Sequence, residues 1–188
     1  KRRGYLPEVF VKYAEDVGVS LNDKSVHIKE FFKVLNHHNK ELIDAKTIRR
    51  LFVGNPKEIT ISNDVQEIMV ENHPENDLGS RKVLVGDKFY VSDEIGSGVY
   101  RFMHLFNFEN GKMVSKEYDA DLKAKIIHAV PMSGAIDVTV MMDDGTTLVG
   151  KGEKSLLDLE EGALVQFERM FFARLDSKKD MRFVYLHG

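Results

Sequence analysis

The sequence contains no cysteine and no long apolar run. The absence of cysteine excludes disulfide bonds and thiolate metal sites, and it favours a reducing, cytoplasmic setting. No run approaches the roughly 20 apolar residues that a membrane-spanning helix needs, and no secretory signal pattern is present. These absences predict a cytoplasmic protein that has no membrane partner.

The chain also lacks an overall positive charge. Its net charge of −3 over 188 residues argues mildly against general affinity for nucleic acid. The charge is uneven, because residues 1–50 carry 11 Lys and Arg against 7 Asp and Glu, whereas residues 51–188 carry 16 against 23. We therefore expect any contact with a polyanion to be local. No initiator methionine precedes Lys1, and we expect a fragment of a longer protein.

Residues 1–50 carry apolar side chains at helical spacing. Pro7 suits a first helical turn and Gly18 suits the position after a helix end. Ser25 is a candidate cap for a second helix. The sequence NHHN, residues 36–39, interrupts this pattern, and a third, shorter helix is expected over residues 42–48.

Residues 51–188 predict many short strands joined by tight turns. Asn110-Gly111 and Asp144-Gly145 each separate two apolar arms, and both dipeptides supply the positive φ angles that hairpins need. Many short strands at this spacing are typical of antiparallel barrels rather than of a parallel sheet. Two polar stretches, residues 72–80 and 115–125, are expected to be loops that present basic residues beside strands.

Four motifs that could carry chemistry have simpler interpretations. His37 and His38 are adjacent, so on a helix they point about 100° apart, and a solvated helix end is favoured over a metal site. The GSGV sequence at residues 96–99 lacks the rest of a phosphate loop and predicts a loop between strands. Asp143-Asp144 fits a hairpin tip, and no serine lies in a Gly-x-Ser-x-Gly elbow. We therefore predict no catalytic residue and no metal site.

The stretch VQFERMF, residues 165–171, sets polar side chains into an apolar run. In a strand, Gln166 and Glu168 would share one face, opposite Arg169. The residues alone favour an edge strand with a surface Glu–Arg pair. The alternative is a pocket in which an arginine fork, a carboxylate and an amide read the edge of an unstacked base. Convergence of the three groups on one base would need a bulge or a sharp bend.

Several segments, taken in order, resemble one protein family. They are KRRGYLPEVF, LFVGNP, NHPENDLGSRKV, YRFMHLFNF, AKIIHAVP and VQFERMFFARLD. Together they are similar to the C-terminal region of class I glutamyl-tRNA synthetases of the archaeal and eukaryotic type, which are related to glutaminyl-tRNA synthetases. The last segment is the most specific. Two departures are Ala129, where the family usually has Trp, and Met170-Phe171, around the position of a family glycine.

The resemblance implies a fold that is mainly β with an N-terminal α-helical segment. It implies two antiparallel β-barrels that bind the anticodon and are related to a ribosomal RNA-binding barrel. Residues 1–50 would form a helical connecting subdomain. The proximal barrel would comprise residues 51–112 and 161–188, and the distal barrel residues 113–160.

The resemblance also implies binding sites and a function. The residues implied to contact the tRNA anticodon are Arg81, His104, Gln166, Glu168 and Arg169, and those implied to contact the tRNA backbone are Arg2, Arg3, Lys82, Lys123 and Lys125. The parent enzyme would attach glutamate to a glutamate-accepting tRNA with ATP and Mg²⁺. The His-x-Gly-His and Lys-Met-Ser-Lys-Ser signatures of that chemistry are absent from the sequence. We therefore expect a monomeric fragment that holds no cofactor, packs against its own catalytic domain and is inactive alone.

Three alternatives stay open. The first is the same module of a glutaminyl-tRNA synthetase. The second is a non-catalytic RNA-binding barrel protein, which the helical lead-in and the order of the matching segments disfavour. The third is a protein-interaction module without an RNA role, which the acidic net charge supports.

Overall fold

The structure is a computed structural model that describes residues 1–18 and 25–188. A helical segment comes first, with helix α1 at Pro7–Val17 and helix α2 at Ile28–Ile43, followed by a 3-10 turn at Asp44–Lys46. Pro7 is the first residue of α1, and Gly18 follows its end with φ 72°. Both predicted helix boundaries of α1 are therefore confirmed.

Helix α2 differs from the prediction in its start and in its continuity. It begins after His27, whose ring accepts a hydrogen bond from the Lys29 backbone N–H at 3.2 Å, so Ser25 is not the cap. The helix runs without a break through residues 36–39, because its polar side chains are paired there. Asn39 is fully buried, and its Oδ1 accepts a hydrogen bond from the Leu6 N–H at 3.1 Å. The predicted interruption is therefore wrong.

The predicted third helix is also wrong. The 3-10 turn ends at Lys46, and Thr47 is already extended with φ −99° and ψ 122°. Residues 49 and 50 then pair in parallel with residues 166 and 167, so pairing within a sheet overrides the local helical spacing.

The described residues form sixteen strands. They are β1 (Arg49–Arg50), β2 (Phe52–Gly54), β3 (Lys57–Thr60), β4 (Glu67–Glu71), β5 (Ser80–Leu84), β6 (Lys88–Val91), β7 (Tyr100–Phe102), β8 (Asn107–Glu109), β9 (Lys112–Ser115), β10 (Lys125–Ile127), β11 (Ala129–Pro131), β12 (Ala135–Met141), β13 (Thr147–Glu153), β14 (Leu164–Phe167), β15 (Phe171–Ser177) and β16 (Arg182–His187). With two helices ahead of them, they confirm a mainly β fold with an N-terminal helical segment.

The strands lie in four sheets. The largest has the order β1-β14-β15-β16-β12-β13-β2, and the others have the orders β10-β7-β8-β9, β11-β6-β3 and β4-β5. Most pairs are antiparallel, and the parallel pairs are β1–β14, β7–β10 and β12–β16. None of these sheets closes on itself within the described residues, so the predicted barrels are not confirmed.

Both predicted hairpins are confirmed. Asn110 and Gly111, with φ 48° and 77°, join β8 to β9, and Gly145, with φ 85°, lies in the turn between β12 and β13. Residues 96–99 lie in the loop between β6 and β7, as the missing phosphate-loop residues indicate. Local turn chemistry thus accounts for these connections.

Two aromatic cores fill the β region. One packs on the seven-stranded sheet and includes Phe52, Phe167 and Phe183, together with valines of β12. The other joins residues between Ile61 and Ala129 around four phenylalanines, which are Phe89, Phe102, Phe106 and Phe108. These cores group β12 and β13 with β14–β16 rather than with β10. They therefore divide the strands differently from the predicted domains, whose boundaries stay a prediction.

The helical segment packs against the last hairpin of the chain. Ile43, Phe172 and Leu186 form a small core that Tyr5 and Leu6 cover. This contact fixes the helices on the β15–β16 side of the large sheet. No helix within residues 1–18 and 25–188 is both long and apolar enough to cross a membrane.

Candidate nucleic-acid interface

The polar part of VQFERMF lies in a tight turn and not within one strand. Strand β14 ends at Phe167 and β15 begins at Phe171, and these two residues face each other across the hairpin. The Met170 N–H donates to the Phe167 carbonyl at 2.8 Å and closes the turn. Arg169 adopts the left-handed region with φ 55°, which is uncommon for a residue with a side chain. The single-strand prediction is wrong, and the sharp bend that convergence requires is present.

Glu168 is held at this turn by a histidine from a second turn. His104 lies between β7 and β8, also at a positive φ of 66°, and its Nε2 is 2.7 Å from Glu168 Oε2. The Glu168 side chain is 11% exposed. Burial on its own would raise the pKa of Glu168, but the hydrogen bond and the charges of His104, Arg81 and His128 outweigh burial and lower it. Glu168 is therefore a carboxylate, and it can accept hydrogen bonds.

A second histidine lies in the same electrostatic environment. His128 follows β10, and burial lowers the pKa of its imidazole, although the charges of Glu168 and Asp93 act in the opposite direction. The charge of Arg169 also acts on His128 and lowers its pKa. We name His104, His128, Glu168 and Arg169 the turn cluster. No pattern in the sequence points to His128 as a member, because the parallel pairing of β10 with β7, which precedes His104, has no local signal.

The side chains of Gln166 and Arg169 have hydrogen-bond donors that are not used within the described residues. Gln166 is half-buried on β14, on the face opposite Val165 and Phe167, and its backbone N–H donates to the Ile48 carbonyl at 3.0 Å. Among residues 1–18 and 25–188, neither the Gln166 amide nor the Arg169 guanidinium has a hydrogen bond or an ion pair of its side chain. An amide and an arginine fork near an ionised carboxylate can bind a planar group that has both donors and acceptors.

Arg81 lies in a different environment. It is 7% exposed on β5, and its Nε and Nη2 donate to both oxygens of Glu153, the latter at 2.9 Å. Its Nη1 donates to the Glu71 carbonyl at 3.0 Å. The charge of Arg81 reaches the turn cluster and helps lower the pKa of Glu168. A base could contact this guanidinium only if Arg81 left Glu153.

Glu153 is shared between two arginines. Arg50 Nε lies 3.5 Å from Glu153 Oε1, and the Leu51 N–H donates to Glu153 Oε2 at 3.0 Å. Burial, followed by the charge of Arg81, lowers the pKa of Arg50 to about 10. We name Arg50, Arg81 and Glu153 the closed network. Sequence reasoning missed it, because Arg81 and Glu153 are 72 residues apart and nothing local pairs them.

Five residues are predicted to contact a tRNA backbone, and they are three lysines and two arginines. The three lysines are exposed. The Lys82 and Lys125 side chains are exposed in surface ion pairs with Glu67 and Asp93, at 3.0 and 3.2 Å. Lys123 lies exposed in the loop before β10 at φ 47°. These lysines can exchange carboxylate partners for phosphates at little cost.

The two N-terminal arginines bind within the protein. Arg2 is exposed and makes a two-point contact with Asp176 at 2.9 and 2.7 Å. Arg3 donates to the Leu186 carbonyl at 2.6 Å and its guanidinium lies over the Tyr5 ring. Arg3 therefore fixes the N-terminus on β16, whereas Arg2 stays accessible.

His37 and His38 lie inside α2 and not at a solvated end as predicted. His38 Nε2 lies 2.5 Å from Asp16 Oδ2 of α1, and His37 Nε2 lies 3.3 Å from Glu41 Oε1. Within the described part of the chain, no three His, Asp or Glu side chains are arranged to hold a metal ion. The contact between His38 and Asp16 joins the two helices.

Residues 47–130 match the sequence model of a protein family described as tRNA synthetases class I (E and Q), anti-codon binding domain. Curated relatives extend the similarity to the remaining residues. The glutamate–tRNA ligases of Methanobrevibacter smithii and Methanocaldococcus jannaschii are each 33% identical over the whole of this chain. The chain belongs to this synthetase family.

The chain spans about a third of the length of these relatives, 35% of the first and 36% of the second. A third relative, the glutamate–tRNA ligase of Methanococcoides burtonii, is 33% identical over 96% of the chain and 33% of its own length. The residues that match the family model include Arg81 and His104. The β14–β15 turn lies outside that match and is covered by the similarity to the relatives.

Proposed function

We propose that this chain binds the anticodon of a glutamate-accepting tRNA as part of a glutamate–tRNA ligase. The observation that carries the proposal is the β14–β15 turn, where an ionised Glu168 directly precedes Arg169, whose guanidinium has no hydrogen bond or ion pair among the described residues. Membership of the synthetase family supports tRNA as the ligand. The turn adds hydrogen-bond donors and acceptors that can bind the edge of a base.

The chemistry of the turn cluster suits an unpaired base. His104 occupies one oxygen of Glu168 and leaves the other to accept an N–H group. Arg169 presents donors in a fixed fork, and Gln166 presents a donor and an acceptor. We assign His104, Glu168 and Arg169 of the turn cluster, together with the neighbouring Gln166, to anticodon contacts, as the resemblance implies. Arg81 supports the site from within the closed network, and it contacts RNA only if Glu153 releases it.

Phosphate contacts come from the exposed cations. We assign Lys82, Lys123, Lys125 and Arg2 to the tRNA backbone, because each is exposed and pairs with at most one carboxylate among the described residues. Arg3 has a positioning role instead, since its donors are used on β16.

The parent ligase would use ATP and Mg²⁺ in a catalytic core whose signatures this sequence does not contain. The Asp, Glu and His side chains of the described residues offer no three-ligand metal site, so no step with ATP or Mg²⁺ is assigned to them. Binding energy from the anticodon helps aminoacylation when it seats the acceptor end correctly in that core. We place the ligase in the cytoplasm as a monomer, with two barrels in the anticodon-binding region.

Titration of the chain with a glutamate tRNA transcript at two salt concentrations tests the proposal. We expect binding that weakens with salt, because phosphate contacts release counterions. A transcript with a replaced anticodon should bind more weakly. Equal affinity for the two transcripts would remove the anticodon from the proposal. The chain alone should give no ATP–pyrophosphate exchange.

A further inference from the structure

The loop between β9 and β10 presents an aromatic ring to solvent. Tyr118 is 65% exposed, which is a large fraction for an aromatic side chain. The guanidinium carbon of Arg101 lies 5.6 Å from the centre of its ring, within the range of a cation–π contact. The ring is therefore exposed and also held in place.

Arg101 is itself fixed. It projects from β7, and its Nη1 donates to Asn107 Oδ1 at 3.1 Å and to the carbonyls of Lys116 and Glu117 at 3.1 and 3.2 Å. Asn107 Nδ2 donates to the same Glu117 carbonyl at 2.7 Å. Contacts from two strands thus hold the loop backbone next to Tyr118. A ring that is already ordered loses little conformational entropy when a ligand stacks on it.

Arg101, which holds Tyr118, shortly precedes a member of the turn cluster in the chain. Arg101 and His104 are three residues apart, so their Cα atoms are separated by at most about 11 Å. Ile126 of β10 pairs with Arg101 and is 41% exposed, so an apolar side chain is accessible next to Arg101. A single RNA loop can reach both places.

We propose that Tyr118, supported by Arg101, is a stacking platform for one unstacked base of the RNA that the turn cluster binds. The inference rests on the proposed function and adds a binding contact to it. Aromatic rings stack with all four bases, so the platform contributes affinity with little sequence preference.

The charges near the ring favour stacking over phosphate binding. Glu117, Asp119 and Asp121 flank Tyr118 in the loop, while the ammonium of Lys116 pairs with Asp64 at 3.4 Å. A phosphate at the ring itself would meet these carboxylates, whereas the neutral face of a base would not; Lys123, which we assign to a phosphate, lies five residues further along the loop. The contribution of Tyr118 should therefore not depend on salt.

The absence of tryptophan from the chain allows a direct optical test. In the Tyr118→Trp variant the new indole is the only tryptophan, and we expect its emission to be quenched when the glutamate tRNA transcript saturates the chain. The control is Phe10→Trp, at a 47% exposed position of α1, whose emission should change little.

Affinity measurements complete the test. Tyr118→Ala should bind the transcript about 5- to 150-fold more weakly, the range that base stacking of about 1–3 kcal/mol corresponds to. Tyr118→Phe should bind like the parent chain, and the salt dependence should be equal in all three.

The two proposals fail differently. If the parent chain binds the transcript, but the indole emission of Tyr118→Trp stays constant and Tyr118→Ala keeps full affinity, the platform is overturned and the anticodon function stands. If the parent chain does not bind the transcript, both are overturned. A loss of affinity in Tyr118→Phe equal to that in Tyr118→Ala would also contradict stacking.

Discussion

Glu153 and Glu168 are both carboxylates near arginines, yet their surroundings differ. Glu153 is 4% exposed and accepts hydrogen bonds on both oxygens from Arg81, with Arg50 beside it. Glu168 is held through one oxygen by His104, at a turn where Arg169 has no ion pair within the described residues. In the first arrangement both carboxylate oxygens are already bound within the protein. The second leaves donors and acceptors unused.

This difference separates stabilisation from binding. Removal of one member of a buried ion pair leaves its partner charged and unpaired, which strongly destabilises a fold. Removal of a side chain whose donors are free changes little in the protein alone. The closed network should therefore affect folding, and the turn cluster should affect RNA affinity.

The largest effect is expected in the closed network. Glu153→Ala should lower the free energy of unfolding by about 3–5 kcal/mol, because two buried guanidinium groups lose their carboxylate. Urea denaturation of the chain measures it. The matched control, Glu168→Ala, should lose only about 1 kcal/mol, since its partner His104 is 34% exposed and can be solvated once the carboxylate is removed. Equal losses in the two variants would remove the distinction between the regions.

At the turn cluster we expect a substitution to lower RNA affinity and to leave the stability of the chain almost unchanged. Arg169→Ala should weaken binding of the tRNA transcript by about 1–3 kcal/mol, as for other base-edge contacts. Its stability should stay within about 0.5 kcal/mol of the parent. Arg169→Lys keeps the charge and loses the fork, so an intermediate affinity is expected. Parent-like affinity in Arg169→Ala would contradict a base contact at this residue.

The buried histidine His187 allows a separate measurement of how burial of an ionisable group changes the stability of the fold. His187 is fully buried, and burial lowers its pKa to about 4. Because the unfolded chain binds the proton more tightly, this contribution to stability is complete above about pH 6.5 and is lost as the pH falls through about 4. Between pH 7 and pH 5 we expect a loss of about 2 kcal/mol. His187→Gln should flatten this part of the denaturation profile, and an unchanged slope would refute the assignment.

The smallest effect is expected at an exposed lysine. Lys123→Ala should reduce the slope of log affinity against log salt by about 1, since one phosphate contact is lost. Lys178→Ala serves as the control, because Lys178 pairs with Glu160 and is not assigned to RNA. The same reduction in both variants would indicate a general charge effect and not a contact.

Local chemistry explains what the sequence could predict of the fold. Asn110-Gly111 and Asp144-Gly145 form hairpins, because Asn110, Gly111 and Gly145 adopt positive φ without strain. Pro7 and Gly18 likewise predict the start and the end of α1, because proline suits a first helical turn and glycine adopts the positive φ found after a helix end. Helix α2 could not be predicted as continuous, because Asn39 is paired by residues distant in sequence.

The site could be predicted only in part. The resemblance named Glu168, Arg169 and His104, and the structure brings the first and last together at 2.7 Å. The bend was not predictable from strand alternation, because the turn residue with positive φ is an arginine and not a glycine. The long-range pairing of Arg81 with Glu153 has no local signal in either segment.

We propose that the turn cluster reads the anticodon. The most direct measurement compares the parent chain and Arg169→Ala for affinity to two tRNA transcripts, one with the glutamate anticodon and one with those three nucleotides replaced. We expect the parent chain to prefer the first transcript by about tenfold or more, and Arg169→Ala to lose most of that preference. Equal binding of the two transcripts by the parent chain, or an unchanged preference in Arg169→Ala, would contradict the claim.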